Sequence, residues 1–283
     1  MLKRMSRAAV NTKIRPPLLV TLTAVALLVC FTPALRGMAD QWWHDADMGH
    51  AFLVPVAIGW IVWRERDRWR ALPVQPSALG FVILGFGAVM QLASVLGAGL
   101  FAGSVGLILS LVGSIVCLGG FAWLRVWAFP LLLTLFMLPK LAIVYNQTTL
   151  PLQLLATRIA GGMLSLAGFA VVREGNILDV SGHRISVVEA CNGMRYLLPL
   201  AFVAVLFAYV SDSKRWMRLA LLVAAIPVAI VANALRVAAA AGVPVLAQGS
   251  AHAVSGLSIF VLCLPALVVL RRVLNSVYSH LHA

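Results

Sequence analysis

Long apolar runs, separated by short charged segments, make up most of the chain. A helix needs about 20 apolar residues to cross the hydrocarbon core of a bilayer, and the runs have about this length. They predict eight spans, at residues 16–35, 50–63, 78–96, 100–119, 122–139, 193–211, 217–241 and 252–270. We therefore expect an all-α integral membrane protein that forms a single polytopic domain over residues 1–283.

Two segments between these runs have a different pattern. Residues 141–172 are apolar but are interrupted by polar residues and by Pro151. We interpret them as an extracytoplasmic helix at the membrane interface or as a re-entrant segment, and a ninth span is the alternative. Residues 173–188 alternate between apolar and polar, and Ser181-Gly182 interrupts the alternation. This pattern predicts a small β-hairpin.

The composition excludes a soluble protein. Hydrophobic residues make up 62% of the chain and charged residues only 11%, and the mean hydropathy is +0.98. A soluble domain carries about a quarter charged residues, because its surface faces water. Most of the surface of this chain must therefore face lipid.

The basic residues indicate orientation rather than a nucleic-acid partner. The chain has 22 Lys and Arg against 9 Asp and Glu, a net charge of +13. Basic residues collect in cytoplasmic loops, and an N-terminus inside places 15 of the 22 there. These are Lys3, Arg4, Arg7, Lys13, Arg15, Arg64, Arg66, Arg68, Arg70, Arg125, Lys214, Arg215, Arg218, Arg271 and Arg272. A cleaved signal peptide is the alternative for the N-terminal run, but that run is long and further spans follow it. We expect both termini in the cytoplasm.

One cysteine differs from the other three. Cys30, Cys117 and Cys263 lie inside apolar runs, where a cysteine behaves as a small hydrophobic residue. Cys191 lies where the predicted hairpin leads into a helix. A helix N-terminus and nearby cations lower the pKa of a thiol. Cys191 is therefore a candidate nucleophile, and an inert cysteine near a helix start is the alternative.

Arg236 and His252 are the other candidate catalytic residues. An arginine in a span usually faces the protein interior or a wet cavity, and Asn233 lies three residues earlier on the same helix face. A snorkelling interfacial arginine is the alternative. His252 opens the last predicted span and can act as a general acid or base. An ordinary histidine at a loop edge is the alternative.

Depth in the membrane connects the three residues. We count 1.5 Å per residue from the charged residue at the inner end of each span. Cys191 then lies roughly 31 Å from Asp212, Arg236 roughly 27 Å from Arg218, and His252 roughly 28 Å from Arg271. All three are thus expected near the outer membrane boundary. A thiolate can attack a carbonyl, a histidine can transfer a proton, and an arginine can stabilise an oxyanion. No Cys/His pair has metal-ligand spacing, so we expect no metal and no cofactor.

A second polar group precedes the second predicted span. Asp45, Asp47 and His50 lie close together in the chain. They could bind substrate or support the site. A solvated outer loop is the alternative.

These motifs resemble the exosortase/archaeosortase family of integral-membrane cysteine transpeptidases. The resemblance rests on residues 189–195 (Glu-Ala-Cys-Asn-Gly-Met-Arg), 233–237 (Asn-Ala-Leu-Arg-Val), His252 with Gly256, and 49–55 (Gly-His-Ala-Phe-Leu-Val-Pro). It covers about residues 40–270. Each motif is short, but their order on a chain with eight predicted spans is specific.

The resemblance implies an activity and its residues. Cys191 corresponds to the nucleophile, Arg236 to the essential arginine and His252 to the histidine. Supporting or substrate-binding roles are expected for Asn233, Arg195, Glu189, Asn192, His50 and Asp47. The implied partners are membrane-anchored proteins whose C-terminal sorting signal has a short motif such as Pro-Glu-Pro, a membrane helix and a basic tail. The resemblance also implies a bacterial inner membrane, a periplasmic active site, an unidentified acceptor amine and a link to exopolysaccharide production.

Two other kinds of function remain open from the sequence. A transporter or export subunit for polysaccharide or lipid-linked sugar would use Arg158, Arg195 and Arg236 to hold phosphates, although the chain shows no inverted repeat. A structural assembly factor of the envelope would tolerate lysine at Arg236 and glutamine at His252.

Overall fold

The computed structural model describes residues 16–45, 47–187, 194–211, 214–247 and 249–281. Within these ranges the chain forms helices and one small sheet. The helices are α1 (Pro16–Cys30), α2 (Thr32–His44), α3 (Leu53–Arg64), α4 (Arg66–Arg70), α5 (Leu79–Ala93), α6 (Gly99–Leu118), α7 (Phe121–Leu133), α8 (Ala142–Leu166), α9 (Met194–Ser211), α10 (Arg215–Gly242) and α11 (Gly249–Leu281). The strands are β1 (Val171–Glu174), β2 (Ile177–Val180) and β3 (His183–Ser186).

Several helices have the length and composition of membrane spans. Among the described residues, the stretches Leu79–Leu118, Trp216–Gly242 and Val261–His280 are long and apolar enough to cross a bilayer. The bent pair Leu18–Cys30 and Thr32–His44 adds a fourth if it forms one span. The prediction of a mostly helical, multi-pass membrane protein is confirmed. The count of eight spans and their orientation stay predictions.

Large apolar side chains cover the outside of these helices. A soluble helix would turn such residues inward, whereas α5 exposes them along its length. Its exposed residues are Leu79, Phe81, Val82, Phe86, Val89 and Leu92. This surface is suited to lipid rather than to water.

The first predicted span, 16–35, is two helices rather than one. The axes of α1 and α2 differ by 67°. Pro33 has no N–H to continue the helix ladder, and its ring crowds the preceding turn. The bend leaves the carbonyl of Cys30 accessible, and Gln91 Nε2 donates a hydrogen bond to it at 3.1 Å.

The contacts divide the chain into two units. The first contains the chain up to Ala39 and residues 58–134, and the second contains residues 40–57 and the chain from Leu135 onward. In the first unit the stretch Leu79–Leu118 folds back on itself, because Gly97 (φ 116°) and Gly99 (φ 83°) adopt conformations that favour glycine. α5 and α6 are therefore an antiparallel pair.

Glycines allow α5 and α6 to approach closely. A Cβ added to Gly87 would lie 2.8 Å from the carbonyl oxygen of Gly106, and one added to Gly113 would lie 2.8 Å from the Leu84 backbone nitrogen. Helices in lipid associate through small residues of this kind, since hydrophobic burial does not drive their association there.

In the second unit, α9, α10 and α11 form an antiparallel bundle. Leu200 of α9 shares a buried cluster with Ala229 of α10 and Cys263 of α11. Further along, Ala208 of α9 shares a cluster with Met217 of α10. As α9 advances, the contact position on α10 moves backward, so the start of α9 lies level with the end of α10.

The helix α8 packs against α10 and the sheet. It is one 25-residue helix that continues through Pro151. Ala156, Ala160 and Leu164 share a buried cluster with residues of α10 and of β2. The segment is therefore helical as predicted. Whether it lies at the membrane interface or spans the membrane stays a prediction.

The predicted β-hairpin is present as β2 and β3, and a third strand that was not predicted, β1, extends it to an antiparallel sheet in the order β1-β2-β3. The turn at Ser181-Gly182 is present. A second two-residue turn lies at Gly175-Asn176, where Glu174 pairs with Ile177 and Gly175 has φ 63°. This turn was missed because Gly175-Asn176 was counted as part of the alternating segment 173–188.

Candidate active site

The end of α10 buries an arginine. Arg236 is 1% exposed and is among the largest fully buried side chains of the described chain, and Asn233 on the same face is 4% exposed. Leu235 and Val231 on the opposite face are half exposed. The snorkelling alternative for Arg236 is therefore wrong. A guanidinium removed from water must be satisfied by hydrogen bonds or charges, and such a group inside a membrane protein is a functional-site candidate.

The helix register brings the starts of α9 and α11 to the level of Arg236. Moving six residues from Leu200 to Met194 on α9 corresponds to moving from Ala229 to Leu235 on α10, next to Arg236. Moving eleven residues back from Cys263 on α11 reaches the backbone of His252. Because α10 and α11 are antiparallel, the matching position on α10 lies eleven residues after Ala229, at Ala240. This position is four residues beyond Arg236, or about 6 Å along the helix axis.

A small core connects the two chain segments that carry Cys191 and Arg236. Val187 is 1% exposed and shares a buried cluster with Val237, Ala238 and Ala241 of α10. Val237 follows Arg236 directly, and Val187 precedes Cys191 by four residues. The described residues thus hold the chain entering the Cys191 motif against the helix turn that carries Arg236.

Polar contacts fix the same segment. The backbone N–H of Val187 donates to the carbonyl of Asn176 at 2.9 Å. The side-chain amide of Asn176 donates to the carbonyl of Val187 at 3.1 Å and lies 3.5 Å from Oε1 of Gln153 on α8. Gln153 is itself buried. The strand that leads to Cys191 is therefore attached to α8 by side-chain hydrogen bonds.

Asp47 belongs to a cluster around Lys140. Lys140 Nζ lies 2.6 Å from Asp45 Oδ2 and 2.9 Å from Asp47 Oδ2, and the Tyr145 hydroxyl donates to Asp47 Oδ2 at 2.8 Å. Burial of the ammonium opposes its charge, but the hydrogen bonds and the charges of Asp45 and Asp47 outweigh it and raise the pKa of Lys140. The carboxylates are therefore held by partners rather than solvated.

His50 lies in a single 3₁₀ turn, Gly49–Phe52. Its side chain is buried, and its ring centroid lies 6.5 Å from that of Phe202 on α9. Phe136 also contacts Phe202, with 5.6 Å between ring centroids. The solvated-loop alternative is wrong for Asp47 and His50, since both are buried. Their roles in substrate binding or support stay predictions.

The remaining candidates are described in part or not at all. Glu189, Cys191 and Asn192 lie outside the described residues. Arg195 lies in the first turn of α9 and His252 in the first turn of α11, as backbone positions. Of the predicted site residues, the structure brings together Asn233 with Arg236 and places Asp47 and His50 in neighbouring turns.

Four residues that contact these segments were not predicted. They are Lys140, Tyr145, Gln153 and Asn176, and none of them was given a role from the sequence. Only Asn176 had a local signal, because Gly-Asn between two alternating runs is typical of a two-residue hairpin turn. Lys140 is 93 residues from Asp47, so no local pattern connects them.

The comparison with known proteins identifies a family. The family model described as transmembrane exosortase matches residues 42–269. This range includes every candidate site residue, the cluster around Lys140, and the contacts of Asn176 with Gln153 and Val187. No curated protein and no solved structure gives a significant match. Because the family model covers most of the chain, the protein belongs to the transmembrane exosortase family.

Proposed function

We propose that the protein is a membrane cysteine transpeptidase that cleaves the C-terminal sorting signals of exported proteins. The observation that carries the proposal is the fully buried Arg236, whose neighbour Val237 shares a buried cluster with Val187, four residues before Cys191. The same end of α10 lies level with the first turn of α11, which contains His252. The proposed site faces the periplasm at the outer surface of a bacterial inner membrane.

The first half of the reaction forms a thioester. The Cys191 thiolate attacks the scissile carbonyl carbon, and the carbonyl electrons move to its oxygen. Arg236 stabilises this oxyanion. When the intermediate collapses, the carbon–nitrogen bond breaks and His252, as imidazolium, donates its proton to the leaving amine. The products are an acyl-enzyme and the released C-terminal helix with its basic tail.

The second half releases the acyl group. An acceptor amine, or water, attacks the thioester carbonyl while the now neutral His252 accepts its proton. The carbon–sulfur bond then breaks and restores the Cys191 thiolate beside an imidazolium. The cycle consumes no cofactor, and its charges return to the starting state.

Burial is what makes Arg236 suited to the oxyanion role. In a site shielded from water a fixed cation acts through a low effective dielectric. A group that is already fixed also needs no reorganisation when the oxyanion forms. Ala234, Val237 and Ala238, which neighbour Arg236 on α10, are also buried, and this burial supports such a fixed geometry.

The test is processing of a reporter protein that ends in a Pro-Glu-Pro motif, a membrane helix and a basic tail. We expect Cys191→Ala to leave the reporter at full length in the membrane. Cys30→Ala is the matched control, because Cys30 is exposed on α1 and lies outside the proposed site. Wild-type processing by Cys191→Ala would contradict the proposal and favour transport or assembly.

Conservative variants separate a catalytic site from a structural one. We expect Arg236→Lys and His252→Gln each to lower the processing rate on the order of 100-fold or more, with normal amounts of protein in the membrane. An assembly factor would tolerate both changes. Mass spectrometry of Cys191 during turnover should detect an acyl adduct, which a transporter would not form.

A further inference from the structure

Asn176 makes an unusual pair of contacts with one residue. In the register of β2 and β3, Ile177 pairs with Ser186, so Asn176 lies opposite Val187, one step beyond the end of the ladder. The carbonyl of Asn176 accepts from the Val187 N–H, and its side-chain amide donates to the Val187 carbonyl. A side chain thus extends the sheet by one residue toward Cys191.

The same amide group also contacts the neighbouring helix. The second contact of Asn176 Nδ2 is Gln153 Oε1, at 3.5 Å. Gln153 is 6% exposed, and its backbone carbonyl accepts from the Thr157 hydroxyl at 2.6 Å. The two N–H groups of one amide can therefore serve Val187 and Gln153 together. Asn176 connects α8 to the last described residue before the Cys191 motif.

The position that Asn176 fixes is close in the chain to both proposed catalytic segments. Val187 precedes Cys191 by four residues and packs in the same cluster as Val237, the residue after Arg236. If Val187 shifts along β2, the chain that carries Cys191 shifts relative to α10. Displacement of a reacting group by about 1 Å can cost about 100-fold in rate.

We propose that Asn176 is a positioning residue that sets the register of the Cys191 segment against Arg236. This inference rests on the proposed function, in which Cys191 is the nucleophile. Asn176 contacts neither substrate nor reacting atoms in this role. It acts through Val187, and Gln153 supports it.

The test measures both Cys191 reactivity and reporter processing in the full chain. Asn176→Ala removes the donor, and Asn176→Asp keeps the side-chain size while removing the donor. Asn146→Ala is the matched control, because Asn146 is exposed on α8. We expect both Asn176 variants to lower the kcat of processing 10- to 100-fold with little change in KM, and Asn146→Ala to match the wild type.

Alkylation of Cys191 by iodoacetamide, followed by peptide mass spectrometry over a range of pH, separates positioning from simple loosening. A displaced thiol loses its activating surroundings, so we expect the alkylation profile to move to higher pH and the rate at neutral pH to fall. Loosening alone would expose the thiol and raise the rate at every pH. That result, or a kcat equal to the wild type in Asn176→Asp, would overturn the inference.

Gln153→Ala tests the connection to α8. We expect a smaller loss of kcat than for Asn176→Ala, and a double variant no worse than Asn176→Ala alone, because the two residues act through one contact chain. Full additivity would overturn this connection. The Cys191→Ala variant in the same assay distinguishes the two proposals. If it processes the reporter, the proposed function fails. If it is inactive while Asn176→Ala is normal in both assays, only the positioning role fails.

Discussion

Replacing Gly87 with alanine should separate two effects that usually oppose each other in a helix. Alanine favours a helix over glycine by about 1 kcal/mol. At Gly87, however, the added Cβ would overlap the hydroxyl of Ser110 and would lie 2.8 Å from the carbonyl oxygen of Gly106, whereas ordinary contacts begin at 3.4 Å. The hydroxyl can rotate away, but the backbone carbonyl cannot. α5 and α6 must therefore separate locally by about 0.6 Å.

Gly85 provides the matched control, because a Cβ added there meets nothing within 4 Å on the same helix. Overpacking costs about 1–3 kcal/mol, and the helix preference is common to both positions. We therefore expect Gly87→Ala to be less stable than Gly85→Ala by about 1–3 kcal/mol. For a chain of this size that difference lowers the melting temperature in lipid nanodiscs by roughly 2–10 °C. Equal melting temperatures, or a higher one for Gly87→Ala, would refute the reasoning.

The second unit allows four further predictions. Ser181 has φ 52°, so Ser181→Gly should raise stability by about 0.5–1 kcal/mol, seen as a higher melting temperature; a decrease would contradict strain at this turn. Lys140→Met should cost about 2 kcal/mol because it removes the donor that Asp45 and Asp47 share, and a melting temperature equal to the wild type would contradict this. The pKa of Lys140 is raised above 10.5, so the stabilisation from its charge is complete at lower pH. It should be lost only as the pH rises through the raised pKa, and melting temperatures measured from pH 7 to 12 test this. Leu178→Ala empties a fully buried site in the sheet core and should cost about 2–5 kcal/mol; a smaller loss in chemical unfolding would show that the site collapses.

The helices could be predicted from the sequence because the length of each apolar run indicates a membrane helix by itself, without knowledge of the helices that pack against it. The bend after Cys30 shows where this fails, since an apolar count does not register the N–H that Pro33 lacks. The sheet was predicted in the right place but with one turn too few. Alternation detects strands, and only the Gly175-Asn176 dipeptide indicated that they number three rather than two.

For the candidate site, the residues that could act in catalysis were easier to predict than the contacts around them. The sequence identified Arg236 as costly at membrane depth but left open whether it snorkels or is buried. That choice depends on which face of α10 meets other helices, and both Asn233 and the apolar Leu235 lie within one turn. The pairing of Lys140 could not be predicted because its partners, Asp45 and Asp47, come from a distant part of the chain. Cys191 remains a prediction from its motif.

The burial of Arg236 in α10 has an electrical consequence. Leu235 and Val231 are half exposed on the opposite face of α10, so that face presents apolar side chains rather than the guanidinium. Screening over about 8 Å at physiological salt applies to charges in water, as for the exposed pair Arg184 and Glu174. Arg236 is 1% exposed, and Ala234 and Ala238 beside it on α10 are also buried, so its field acts through protein rather than through salt solution. In the proposed reaction, its influence on a nearby oxyanion should therefore change little with ionic strength, because salt screens a buried charge much less than an exposed one.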